Sequence, residues 1–323
     1  MVKLTALSLF ISMMSLSAQA HLGHAMGNEI STRNASPVKE YWIAVESLRW
    51  NPAPGPDQMS GVQIPADKAT FWALKYRPYE PGFTQRKAED PLLGIAGPVI
   101  EANVGDHIVV HFKNLDDHFK APHSIHVHGL QYKEAMDGSF VAVGPHYPGS
   151  SVAYGETFTY EYDAFPDSVG VWPYHDHAPD FTKNTGLGMF GAVRVHGAPE
   201  LAYDREFYVF FTGFAPEITG LDKDRDFDTI NGLAFMGNTP MFMAKKGQVV
   251  RFNVLGFGKE FHTFHIHGQR WLHDGAYEDT RLVGPATAWS IQFQANNPGQ
   301  WMLHCHVEDH SVNGMMGMFM VEE

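Results

Sequence analysis

A single cysteine, Cys305, stands in 323 residues, so no intramolecular disulfide can form and the thiol is left for other chemistry. Basic residues are few and scattered. The 23 Lys and Arg against 36 Asp and Glu leave a formal charge of -13, and no cluster of them offers a footprint for nucleic acid. Long apolar runs are missing as well, because beyond the first 20 residues no stretch is apolar enough to span a membrane. A sustained 3.6-residue hydrophobic period is also absent, which argues against a helical protein.

What is present begins with residues 1–20, MVKLTALSLFISMMSLSAQA, where Lys3, an apolar run and the end Ala18-Gln19-Ala20 predict a cleavable signal peptide and a secreted or periplasmic protein. Residues 21–38 are small and polar and predict a flexible arm. Beyond them, β-branched and aromatic runs such as HIVVHFKNL (107–115), FYVFFTGF (207–214) and WSIQFQA (289–295) alternate with Gly, Pro and Asn. That pattern predicts an all-β sandwich protein.

The chain also repeats itself. HSIHVHGLQY (123–132) matches HTFHIHGQRW (262–271), and WPYHDHAPDFTKNTGLGMF (172–190) matches WMLHCHVEDHSVNGMMGMF (301–319) without a gap. Two copies of one β domain follow, 39–198 and 199–323, joined near residue 200. Each copy carries two His-X-His pairs, His126/His128 and His175/His177 in the first, His265/His267 and His304/His306 in the second.

In an extended strand residues i and i+2 face the same way, so each pair aims two imidazoles at one place. Eight convergent imidazoles suit copper, zinc or iron, and exceed what one ion can use. Parity then separates a second site: Cys305 is one residue from His304 and His306, and His262 is three before His265, so both point away from the imidazole cluster. With His310 and Met315 they make two imidazoles, a thiolate and a thioether, the pattern of a blue-copper centre. In the first copy His123 matches His262, but Asp176, Phe181 and Gly186 stand where Cys305, His310 and Met315 do. The first copy therefore keeps its cluster pairs and lacks a mononuclear site, with His123 expected to hydrogen-bond Asp176.

HVHG (126–129), YHDH (174–177), HTFHIHG (262–268) and HCHVEDHSVNGM (304–315) resemble the four copper-binding motifs of multicopper oxidases, and the two copies resemble that family's two-domain, small-laccase branch. The resemblance implies two cupredoxin-like Greek-key sandwiches and four coppers per chain. A type 1 copper would lie on His262, Cys305, His310 and axial Met315. A type 2 copper would lie on His126 and His265, and a type 3 pair on His128, His175, His177, His267, His304 and His306. It further implies one-electron oxidation of phenols or aromatic amines coupled to reduction of O2 to water, in a ring-shaped homotrimer. Asp137 and Asp279 resemble cluster-proximal aspartates of that branch that would relay protons, and Tyr132 resembles a tyrosine near its cluster. Oxidation of Cu(I) or Fe(II) is the alternative reading, although Met236, Met241 and Met243 do not amount to a Met-rich insert. A copper nitrite reductase-like enzyme and a periplasmic copper or electron carrier are the remaining rivals.

Overall fold

The computed structural model describes residues 37–223 and 226–323. The expected signal peptide lies outside them, as does the expected arm except Pro37 and Val38, and Val38 already opens the first strand. Eight strands precede residue 200: β1 (Val38–Trp50), β2 (Phe71–Tyr79), β3 (Ile100–Asn103), β4 (His107–Leu115), β5 (His126–Val127), β6 (Thr157–Asp163), β7 (Gly170–His175) and β8 (Phe190–His196). After it come β9 (Arg205–Phe214), β10 (Phe227–Ile230), β11 (Met241–Lys245), β12 (Val249–Gly256), β13 (His262–Ile266), β14 (Trp271–His273), β15 (Ala276–Glu278), β16 (Thr280–Val283), β17 (Ala288–Gln294), β18 (Gly299–Cys305) and β19 (Met316–Glu322). Three short helices, α1 (Phe181–Gly186), α2 (Pro216–Thr219) and α3 (Glu308–Val312), sit in the connections.

The repeat in the sequence is a repeat in topology. The order β2-β1-β4-β6 in one half recurs as β10-β9-β12-β17 in the other, each with its central pair parallel. The second sheet, β3-β8-β7-β5, recurs as β11-β19-β18-β13 with β16 added at the edge. Corresponding cross-strand registers also recur, His126 facing His175 in β5–β7 and His265 facing His304 in β13–β18. The architecture is all-β.

Alternation makes these strands. In β4, Ile108, Val110, Phe112 and Asn114 turn inward while the residues between them stay half-exposed. β12 is buried almost throughout: Leu255, with Phe257 just past the strand's end, packs with Phe210 into the core of the first half while Phe252 and Val254 fill the core of the second. β2 was hidden in the sequence by Lys75 and Arg77, whose charges are turned inward and paired with Glu89 and Glu46.

The join between the halves is ionic. Arg194 on β8 is fully buried and pairs with Glu200 and with Glu206 (3.0 Å), while Arg251 on β12 pairs with the same Glu200. Buried charges are tolerated only when paired and hydrogen-bonded, and Arg194 also donates to the carbonyls of Gly170 and Val195.

Candidate metal centres

β13 begins at His262, β18 ends at Cys305, and α3 carries His310 back over them. The Nδ1 atoms of His262 and His310 lie 3.0 Å apart, with the Cys305 Sγ 4.0 Å and 3.6 Å from them. His262 and Cys305 are buried, and the sulfur accepts the amide N–H groups of Thr263 (3.3 Å) and Val307 (3.5 Å). Met315 is fully buried in the same core, and its carbonyl accepts the Cys305 N–H at 3.1 Å. Burial pushes the metal-free Cys305 thiol up, and burial with His310 nearby brings His262 down to about 3. A neutral imidazole is a ready ligand, and a thiol that resists ionisation alone would be deprotonated by a soft cation. Two imidazoles and a thiol around one point fit copper or zinc.

The four His-X-His pairs form two quartets, each confined to one half. In the first, His126, His128, His175 and His177 have ring centroids 5.0–5.7 Å apart, and three of their nitrogens fall within ligand range of one another. In the second, His265, His267, His304 and His306 lie 5.0–5.4 Å apart in the same arrangement. The second histidine of every pair stands just past its strand, yet the extended backbone keeps both rings together.

Backbone carbonyls fix the tautomers. The Nδ1 of His126 lies 2.7 Å from the Asp137 carbonyl and that of His265 lies 2.7 Å from the Asp279 carbonyl. Those of His175 and His304 face the carbonyls of Asp176 (2.8 Å) and Cys305 (2.7 Å). A carbonyl only accepts, so each Nδ1 carries the proton and each Nε2 is a bare lone pair. Facing Nε2 atoms approach to 3.2 Å in His128–His175 and 3.1 Å in His267–His304. Burial and the neighbouring histidines bring His128 down to about 4; burial, opposed by the Asp176 carbonyl and reinforced by His126, brings His175 there too. Neutral imidazoles gathered this closely fit metal ions, and so does His177 Nδ1, which is buried with no hydrogen-bond partner.

Asp137 and Asp279 thus occupy equivalent places, each beside the first histidine of a pair. Their carboxylates lie 3.5 Å and 3.8 Å from His126 and His265, and Tyr132 donates to Asp137 at 3.0 Å. The two surroundings differ: the Asp137 side chain is 34% exposed and that of Asp279 is 61% exposed.

In the first half, the positions matching the blue-type site hold something else. His123 Nε2 bonds Asp116 at 3.1 Å, while its Nδ1 stays 3.7 Å from Asp176, so the expected hydrogen bond to Asp176 is replaced by one to Asp116. Asp116 lies seven residues before His123 in a loop, and no residue spacing pointed to it. Burial alone would pull His123 down; hydrogen bonding to Asp116 and charge from Asp176 outweigh it, and the imidazole titrates above its ordinary value. Phe181 stacks on His177 with centroids 4.6 Å apart. At Gly186 a Cβ would meet the Ile218 side chain at 2.7 Å, so the place matching Met315 is already filled.

Multicopper oxidase family models match residues 94–200 and 215–323. The chain belongs to the multicopper oxidase family. A solved multicopper oxidase superposes with a TM-score of 0.68 at 26% identity, covering 88% of this chain and 89% of that one. The blue copper oxidase of Nitrosomonas europaea gives 0.67 at 24% identity over 88% and 86%, a likeness of fold. Among curated proteins, a probable nitrite reductase-hydroxylamine oxidoreductase fusion protein of Kuenenia stuttgartiensis is 34% identical over 246 residues, 71% of this chain and 28% of that protein. The human ferroxidase HEPHL1 is 27% identical over 344 residues, 88% of this chain and 29% of its own length. The chain therefore spans under a third of these curated relatives. Its fold is cupredoxin-like, and the family implies copper as the metal that the thiol and imidazoles hold.

In this multicopper oxidase a cavity of about 770 Å³ is lined by His262 and His310 and also by His175 of the first quartet. Phe181 of α1 in the first half, together with Phe214, Phe227 and Phe257, gives it aromatic walls, and the carboxylates of Glu217, Asp226, Asp228, Glu260 and Asp309 surround it. Among the described lining residues Lys259 is the one Lys or Arg that opposes them, 3.9 Å from Glu217 and 3.8 Å from Glu260. Among the described residues no helix is long and apolar enough to cross a membrane.

Proposed function

We propose that this multicopper oxidase is laccase-like: small phenols or aromatic amines give up single electrons at the His262–Cys305–His310 site, and the electrons reduce O2 to water at a cluster held by the eight paired histidines. The aromatic-walled cavity lined by His262 and His310 carries this reading, because it has the size of a small-molecule site and includes two side chains of the mononuclear centre. When bound, four coppers supply the one-electron redox chemistry and the O2 reduction. Met315 would join His262, Cys305 and His310 in holding the mononuclear copper, and the backbone from Cys305 to His304 and His306 would link that site to the histidine cluster. The imidazoles of His262 and His310 meet the reductant. Asp137, half-buried and hydrogen-bonded by Tyr132, holds and passes a proton beside His126, and Asp279 does so beside His265.

Each half offers only four cluster imidazoles. Among the described residues the quartets form separate ligand groups, and Leu272, Tyr277 and Leu282 of β14, β15 and β16 are exposed. These features support a head-to-tail homotrimer in which the cluster forms between subunits, since heterologous contacts close into rings. A fully active monomer in sedimentation would exclude it. Export through residues 1–20 to a periplasmic or extracellular location completes the reading, testable by N-terminal sequencing of the mature chain.

Metal-ion oxidation is the second reading, favoured by the carboxylates around the cavity and by the ferroxidases among the relatives. The deciding measurement is O2 consumption with a phenol, an aromatic amine, Fe(II), Cu(I) and nitrite as paired reactants. Turnover with the aromatic donors supports the first reading; turnover with Fe(II) or Cu(I) alone replaces it with the second, and nitrite consumption without O2 uptake removes both.

A further inference from the structure

The two amides that hold the Cys305 sulfur have counterparts in the first half. There the Ser124 N–H (2.7 Å) and the Ala178 N–H (3.3 Å) donate to the carboxylate of Asp176, at the positions matching Thr263, Val307 and Cys305. The supporting hydroxyl is repeated as well: Ser124 Oγ accepts the His177 N–H at 3.0 Å, as Thr263 Oγ1 accepts that of His306 at 3.0 Å. The first half adds a third donor, Asn184 Nδ2 at 3.0 Å from α1. Behind Asp176 lie His123 and then Asp116, which is held by the amides of Phe119 (3.0 Å) and Ala121 (3.3 Å). All three side chains are fully buried.

Stability alone does not explain such a series. Burying carboxylates is costly unless every lone pair is satisfied, and apolar residues of similar volume would usually fill the space at no loss. The first half has instead kept an acceptor where the second half has a thiol, and kept it between His175 and His177.

We propose that Asp176, backed by His123 and Asp116, is a positioning residue for the first histidine quartet. The carboxylate ties together the approach to β5, the turn after β7 and α1, so that His126, His175 and His177 are held on one frame before any metal arrives. His175 gains its tautomer from the carbonyl of Asp176 itself, and His177 its backbone position from Ser124. In the second half the corresponding frame closes around the mononuclear site; in the first it closes around an acid and an imidazole. This inference rests on the reading of the quartets as copper ligands.

The test uses the full-length, copper-loaded protein and the variants Asp176→Ala, Asp176→Asn and Asp116→Asn. Copper-to-protein ratio, the intense blue absorption of the thiolate-bound copper, the near-ultraviolet band of the coupled pair, and copper affinity by chelator competition are read on each. Loss of a partner that orients a ligand typically costs on the order of 10- to 100-fold in metal affinity. Asp176→Ala is expected to lose cluster affinity in that range while the blue absorption per folded molecule stays at the wild-type level. Asp176→Asn, which keeps one acceptor for Ser124, should fall between, and Asp116→Asn should shift the same bands less. Unchanged cluster affinity in both Asp176 variants overturns the proposal. So does a fall of blue and near-ultraviolet bands in one proportion, which marks general unfolding; if Asp176→Ala does not fold, Asp176→Asn and Asp116→Asn carry the same comparison. A wild-type protein with copper at the Cys305 site and none at the quartets would instead sink the copper reading of the quartets.

Discussion

The first and second halves share a topology, a register and a set of hydrogen bonds, yet only the second gathers a thiol and two imidazoles. The difference lies in few side chains. Asp176 replaces Cys305, Phe181 replaces His310, and Ile218 fills the space beside Gly186 where the counterpart of Met315 would go. The amides that face the sulfur in one half face a carboxylate in the other. A ligand site can thus be removed from this fold with its frame left standing, while the neighbouring His-X-His pairs are kept because they point to the other side of the strand.

The largest test of that contrast is Cys305→Ser. It is expected to abolish the blue absorption and turnover while copper remains on the histidine quartets, checked by metal analysis and spectroscopy. Retained blue colour would place the chromophore elsewhere. The next is one of packing: Phe252 is fully buried among Phe207, Phe242, Phe264, Phe293 and Phe319, and Phe252→Ala should cost about 3–5 kcal/mol. Denaturant unfolding followed at the blue band checks it, since this core also contains Cys305.

A third comparison sets Asp137→Ala against Asp279→Ala. Both keep the carbonyl that orients a histidine, so copper content and colour should persist. Asp137, less exposed and bonded to Tyr132, should lower turnover on the order of 10- to 100-fold, and Asp279 by less. Turnover unchanged from wild type in both variants across the pH range removes the relay role.

The smallest expected effect is on the metal-free protein. His128 and His175 lie near 4 and His262 near 3, against 6.5 for a free imidazole. Between these values the unfolded chain binds protons that the folded chain refuses, so stability should fall as pH drops from about 6.5 towards 4 and be fully present above. Melting temperatures of the apo protein over that range provide the check, and a flat profile contradicts the neutral-imidazole assignment.

Much of this was legible in the residues. HIVVHFKNL coincides with β4, and WSIQFQA and FYVFFTGF fall on β17 and β9, because alternation and β-branching act locally. The four His-X-His pairs were legible because i and i+2 share a face and the copies align without gaps, whereas their gathering into one quartet per half was not. What escaped was set by tertiary contact. The inward ion pairs of Lys75 and Arg77 disguised β2, and Asp116 reaches His123 from a loop with no motif. The carbonyls of Asp137 and Asp279 matter as backbone, where side-chain chemistry says nothing.

Arg194 gives the join between the halves a mechanical meaning. A guanidinium of the first half with no contact to water, gripped by two acids from the start of the second, makes that junction a clamp and not a hinge. Bending it would strand a buried cation, so the angle between the two histidine-bearing faces is set within each chain. In the homotrimer proposed above, a neighbour docking on either face would meet a surface already aimed.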